Sequence, residues 1–198
     1  FDISRAFYES IPPVRLITPS REELDTLFRQ HRIIGLKYCG PPGGLGKPSW
    51  IYICRNGHYE MKSVHRKMRN KVRQGLDNCT VRPISFEYLH DHGMQLNQDT
   101  LMRQNRQDPT FTEPARWARL CRAGQQIEGA KAWGAFVDGQ LAAYMIAFII
   151  NGYSNILHQM SRTDMLDSKA NNALAFVATR EMMASPDIQA VSYGHASI

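Results

Sequence analysis

Six cations, Lys62, Arg66, Lys67, Arg69, Lys71 and Arg73, lie between Glu60 and Asp77 with no acid among them. The chain has 24 Lys and Arg against 18 Asp and Glu, so this one segment carries the equivalent of the whole net charge of +6. Apolar residues recurring every fourth position (Val64, Met68, Val72, Leu76) predict an amphipathic helix over 61–76, with Gly75 as a left-handed cap at its C-terminus. Arg66, Arg69 and Arg73 share a second stripe. A solvated basic face is the plain reading of such a run. Without interleaved carboxylates to form i,i+4 pairs, however, the helix repels itself unless an anion or an acidic neighbour is close. Phosphate is the natural partner, because guanidinium groups bind it in bidentate fashion.

Other residues with chemical potential read less sharply. His90-Asp91-His92 supplies at most two metal ligands, and no C-x-x-C or H-E-x-x-H partner accompanies it, so no metal site is predicted. The glycine-rich stretch 41–48 suggests a phosphate loop, but Pro41 stands at the first glycine position and Pro48 where Ser or Thr should follow Gly46-Lys47. Cys39, Cys54, Cys79 and Cys121 have no paired spacing and read as small core residues. The longest apolar run, 141–150, is about half of the ~20 residues a membrane span needs. With no signal-peptide pattern at its start, the chain is expected to be cytoplasmic.

The elements that must position these groups are clearest toward the C-terminus. Residues 131–137, 140–150 and 153–161 read as three strands joined at Asp138-Gly139 and Asn151-Gly152, both two-residue hairpin signals. A helix over 168–184 follows, with Leu174, Val177, Ala178 and Met182 on its apolar face, and then a strand over 188–193. A strand reached through a helix should lie parallel to another strand of its sheet, so the expected class is α/β (α+β) with a mixed sheet: an antiparallel meander, a crossover helix and a parallel last strand. Upstream, 14–18, 35–39, 49–55 and 80–86 read as strands. Ser20 to Glu23 is a capping-box match opening a helix with Leu24, Leu27 and Phe28 inside, 87–106 is mostly helical, and 112–123 is a helix burying Trp117, Leu120 and Cys121.

The order of these elements, with the local patterns Arg66-Lys67-Met68-Arg69-Asn70-Lys71-Val72-Arg73, Gly134-Ala135-Phe136-Val137-Asp138-Gly139-Gln140-Leu141, Asn171-Asn172-Ala173-Leu174 and Val191-Ser192-Tyr193-Gly194, resembles the FemAB-like branch of the GNAT acyltransferase superfamily. The resemblance covers about 52–198. It implies a GNAT-like domain over 57–198, and a region over 1–56 that either packs on that core or is the remnant of a first GNAT-like half. It also implies transfer of an acyl or aminoacyl group from an activated ester or thioester to an amine acceptor, without a metal. The possible donors are acyl-CoA, an acyl carrier protein or aminoacyl-tRNA. Acetyl-CoA-dependent relatives cradle the diphosphate in a glycine-bearing turn after the third meander strand; here that turn, 161–168, has no glycine and contains Asp164 and Asp167. The family fold continues with a strand pair after the strand at Val191, so residues beyond Ile198 or a partner are expected to complete it.

Amine attack on a carbonyl requires a proton acceptor, oxyanion stabilisation and a donor held within ~3.5 Å of the nitrogen. In the fold so implied, the two parallel strands splay apart at one end, placing Gln159, Met160 and Ser161 opposite Tyr193, Gly194 and His195. The catalytic candidates are therefore Tyr193, His195, Ser161 and His158, the last assigned to the face of Ile156 and Met160, where it also reads as a core group. Candidates for holding substrate or donor are Arg66, Arg69, Arg73, Gln159, Arg162, Asn171 and Asn172, the two asparagines also reading as helix caps. The alternative from another class is a non-catalytic module that binds RNA or another polyanion through the basic helix.

Overall fold

The computed structural model describes residues 2–4, 6–12, 15–44, 48, 50–55 and 57–195. It divides into two compact units, 1–52 with 195–198 and 53–194. In the first unit, β1 (Asp2–Ser4) is antiparallel to β2 (Phe7–Glu9), which is parallel to β3 (Gly35–Lys37). The predicted strand at 14–18 is reduced to one bridge between Leu16 and Cys39, and Val14 lies outside the described residues. Helix α1 (Arg21–Gln30) opens with the expected capping box between Ser20 and Glu23. Phe28, expected inside, is exposed.

Apart from Ile51, Tyr52 and His195 at strand ends, the second unit contains a sheet in the order β4-β9-β8-β7-β6-β5: β4 (Ile51–Cys54), β5 (Thr80–Pro83), β6 (Ala130–Val137), β7 (Gln140–Ile150), β8 (Tyr153–Ser161) and β9 (Ala190–His195). Strands β5 to β8 form an antiparallel meander and β9 is parallel to β8, the mixed sheet expected. Both hairpin turns have two successive left-handed residues, Asp138 and Gly139 at φ 49° and 78°, Asn151 and Gly152 at φ 49° and 77°, which is why Asp-Gly and Asn-Gly occupy them.

Strands β6 and β7 are apolar on both sides because both sides are covered. One face, with Ala132, Phe136, Tyr144 and Ile146, packs under Phe86 and Leu89 of α3 (Phe86–His92), Leu96 and Leu101 of α4 (Met94–Arg103), Phe111 of α5 (Pro109–Thr112), and Trp117 and Cys121 of α6 (Pro114–Gln126). The other, with Trp133, Ala135, Met145 and Ala147, packs on Leu174, Ala178 and Met182 of α7 (Ala170–Ala184). Helix α2 (Arg66–Asn78) covers α7 in turn through Val72, Phe176 and Val177.

Several expectations need correction. The basic segment is a 3₁₀ turn (Met61–Ser63) followed by α2, not one helix from 61 to 76. Met68 and Leu76 are 36% and 37% exposed; the face turned to α7 carries Val72 and Gly75. Gly75 caps nothing: it lies inside α2, where a Cβ would stand 2.5 Å from the Lys169 carbonyl oxygen, so it is a point of close helix approach. The strand at 80–86 ends at Pro83, because Ser85 accepts from the Tyr88 N–H and starts α3 at Phe86. Gly93 divides the helix expected over 87–106. Finally, a bulge at Leu157 puts Ile156 on the α7 side, while His158 and Met160 face the α3–α6 layer, so His158 does not share the face of Ile156.

Candidate active site

Among the described residues, strands β8 and β9 pair from Tyr153 opposite Ala190 to Asn155 opposite Ser192. Gly194, at φ 99°, takes β9 out of extended geometry, and its N–H turns back 3.3 Å to the Ser192 hydroxyl. Beyond Asn155 the far half of β8 and the end of β9 are therefore joined by side chains.

Those side chains form one connected set. The Tyr193 hydroxyl donates to Gln159 Oε1 at 2.6 Å. Gln159 Nε2 donates to both the backbone oxygen and Oδ1 of Asn171 in the first turn of α7, each at 3.0 Å. Asn171 Nδ2 donates to Ser161 Oγ at 2.9 Å. From the opposite layer, Arg103 of α4 donates to the same Ser161 Oγ at 3.0 Å and to Thr163 Oγ1 at 2.7 Å. Thr100, one turn earlier on α4, accepts from the Ser161 N–H at 2.8 Å and donates to its carbonyl at 3.0 Å. Ser161 is 3% exposed and Tyr193 54%, so the set runs from the interior to the surface. Partial burial pushes the Tyr193 phenol above its ordinary pKa, which keeps it protonated at neutral pH.

The structure thus brings together four of the candidates, Gln159, Ser161, Asn171 and Tyr193, and sets others apart. Asn171 does not cap α7, because its amide is committed to Gln159 and Ser161; Lys169, in the left-handed region at φ 60°, is the cap position. Asn172 is half-buried in the same turn. His158 lies across the sheet from this set, edge-on to Phe111 at 4.4 Å. Burial lowers its pKa, Asp108 opposes that shift and Arg106 adds to it. His195 ends β9, and its side chain lies outside the described residues. Arg162 is taken up by Asp164, with bonds of 3.0 and 2.6 Å, and by Gln140 at 3.1 Å. On α2, Arg69 bonds the carbonyls of Val64 and Lys62 at 2.9 and 2.8 Å, and so closes the turn ahead of its own helix. Arg73 reaches Asn70 at 3.3 Å, and Arg66 is exposed.

The turn after β8 does not fit a diphosphate cradle. Five of its N–H groups are taken up by the protein: Thr163 by Asp99 Oδ2, Leu166 by Thr163, Ser168 by Met165, Lys169 by Leu166 and Ala170 by the Ser168 hydroxyl. Among the described residues, no group of three or more His, Cys, Asp and Glu could hold a metal ion. No described helix is long and apolar enough to cross a membrane.

Sequence reasoning missed the α4 contribution. Asn97, Thr100 and Arg103 recur every third residue; Asn97 and Thr100 are buried, and Asn97 meets the Tyr144 hydroxyl and donates to the Phe111 carbonyl at 3.0 Å. Their three-residue spacing is visible in the sequence, but it marks a buried polar stripe only once the apolar layer around α4 is known.

Among solved structures, FemX matches with a TM-score of 0.62 at 12% identity, over 73% of this chain and 52% of that one. The chain shares the fold of FemX. The C-terminal domain of a candidate lysylphosphatidylglycerol synthetase from Agrobacterium fabrum shares it, with a TM-score of 0.55 at 14% identity over 75% and 46% of the two chains. So does a conserved protein of unknown function from Bacteroides thetaiotaomicron, with 0.50 at 10% over 73% and 53%. The chain spans about half the length of each of these. No family model and no curated protein matches its sequence. In the fold shared with FemX, the set around Ser161 and Tyr193 lies beyond the paired part of the two parallel strands joined by the crossover helix.

Proposed function

We propose that the chain is an N-acyltransferase that moves an acyl or aminoacyl group from an activated ester or thioester to an amine at the opening between β8 and β9. The observation that carries this reading is the end of β8–β9 pairing at Asn155 and Ser192, with Gln159, Ser161, Asn171 and Tyr193 gathered across the gap beyond it. In the reaction the amine nitrogen bonds to the carbonyl carbon and the C–O or C–S bond of the donor breaks. Polar side chains fixed in advance can hold the reacting groups together without reorganising. The donor's phosphates are assigned to the exposed cations of α2, because five N–H groups of the turn after β8 are already bonded and the turn carries Asp164 and Asp167.

The test offers acetyl-CoA, an acylated carrier protein and mixed aminoacyl-tRNA to the full chain with a panel of primary amines, and reads new amides by mass spectrometry. Amide formation from at least one donor, unaffected by EDTA, is the expected result. No amide from any donor, together with salt-sensitive retention of RNA, would replace the enzyme with a polyanion-binding module. That second reading rests on Arg66, Lys67 and Lys71, which are exposed and make no ion pair among the described residues.

A further inference from the structure

The hydrogen bonds at the strand opening have a direction, and a backbone carbonyl fixes it. A peptide oxygen only accepts, so the Gln159 amide group facing the Asn171 carbonyl at 3.0 Å must be its NH₂. That leaves Oε1 toward Tyr193, and a carboxamide oxygen only accepts. The Tyr193 hydroxyl 2.6 Å away must therefore donate. The same step repeats inward: Asn171 presents Oδ1 to Gln159 Nε2, and so Nδ2 to Ser161. Both asparagine and glutamine orientations follow from one main-chain atom.

A phenol has one proton and accepts through its remaining lone pairs. With the proton committed to Gln159, the half-exposed Tyr193 oxygen offers only acceptor capacity to anything entering the opening. We propose that Tyr193 is a hydrogen-bond acceptor for the N–H of the incoming amine and not a proton donor to the leaving group, with Gln159 the positioning residue that sets this polarity. The identity of the ligand rests on the acyl-transfer reading above; the direction of the proton rests on geometry alone. The balance of the reaction follows. The N–C bond forms and the C–O or C–S bond breaks, the proton lost by nitrogen passes to water, and the departing oxygen or sulfur takes its proton from water. Tyr193 ends the cycle with the proton it began with. The raised pKa of the phenol agrees, since a neutral phenol accepts through a lone pair without becoming a phenolate.

Two measurements test this, and their failures differ. Neutron diffraction from deuterated crystals of the full chain should place the Tyr193 deuteron between its oxygen and Gln159 Oε1; a deuteron turned away from Gln159 overturns the proposal whether or not the chain is an enzyme. With whichever donor and amine react, Tyr193→Phe and Gln159→Met should each raise KM for the amine about tenfold, the loss expected of one well-placed hydrogen bond. The alkaline limb of the kcat profile should stay in place in both variants, because no tyrosine proton is transferred. Disappearance of that limb in Tyr193→Phe would make Tyr193 the general acid and overturn the proposal. If no donor reacts, the acyl-transfer reading fails, and the neutron map alone decides the polarity.

Discussion

Gln159 of β8 and Asn171 of α7 are joined twice by a single nitrogen, Gln159 Nε2 lying 3.0 Å from both the backbone oxygen and Oδ1 of Asn171. This joint ties β8 to the crossover helix beyond the last β8–β9 pair among the described residues. It also makes Asn171 the middle of a chain whose inner end, Ser161 Oγ, accepts from both Asn171 and Arg103.

Removing either Asn171 or Ser161 strands a neighbour. Asn171→Ala and Ser161→Ala are each expected to destabilise the fold by about 1–3 kcal/mol, the cost of leaving a buried polar group unpaired. Once one is gone, the other has less to lose, so the double variant should cost less than the sum by about 0.5 kcal/mol or more. Urea unfolding of the three variants measures this. Strict additivity would mean the two bonds are independent.

Gly75 predicts a steric cost rather than a conformational one. A methyl at this helical position would sit 2.5 Å from the Lys169 carbonyl oxygen and 3.0 Å from Ala173 Cβ. Helix propensity alone favours alanine by about 1 kcal/mol, but separating α2 from α7 is expected to outweigh it, leaving Gly75→Ala destabilised by roughly 1–3 kcal/mol as overpacked sites are. A higher melting temperature for Gly75→Ala would show that the two helices yield freely.

The sequence is legible where one residue type has one structural use. Asp138-Gly139 and Asn151-Gly152 announce left-handed turns, and long apolar runs between them leave few choices but buried strands. The extra residue at Leu157 has no such signature, since any side chain fits a bulge, and strict alternation therefore puts His158 on the wrong face. Gly75 misleads for the opposite reason: glycine near a helix end serves either a cap or a close approach, and only the partner helix tells which. At the site, Tyr193, Ser161 and Gln159 follow from the expected splay. Arg103 does not, because the polar stripe of α4 looks like any solvated helix face until the layer it packs into is known.

His158 gives stability a pH dependence whose sign is fixed. Burial holds its pKa below the ordinary 6.5, against the pull of Asp108 and with the help of Arg106. The unfolded chain therefore binds the proton more readily than the folded one. This contribution is complete above pH 6.5 and is lost as pH falls from there through the folded-state pKa. Melting temperature should fall more between pH 7 and about 5.5 in the native chain than in His158→Gln, which cannot titrate in this range. Equal slopes for the two would remove His158 as the source.

The cations of α2 divide into structural and free ones, and the division predicts opposite phenotypes. Arg69 holds the carbonyls of Val64 and Lys62, so Arg69→Glu leaves both without a donor and should lower stability by about 1–3 kcal/mol. Arg66, Lys67 and Lys71 are exposed and make no ion pair among the described residues, so changing them to Glu should leave stability within about 0.5 kcal/mol. If this face holds a phosphate-bearing donor, the same three changes should weaken retention of tRNA and flatten its salt dependence. The slope of log K against log salt should fall by about 0.7 for each single-strand phosphate no longer neutralised and by about 0.9 for each duplex phosphate. Filter binding at several salt concentrations, with melting curves on the same samples, separates the two groups. Retention of tRNA unchanged in the triple variant would move the anion site off α2, and with it the route by which the donor reaches Tyr193.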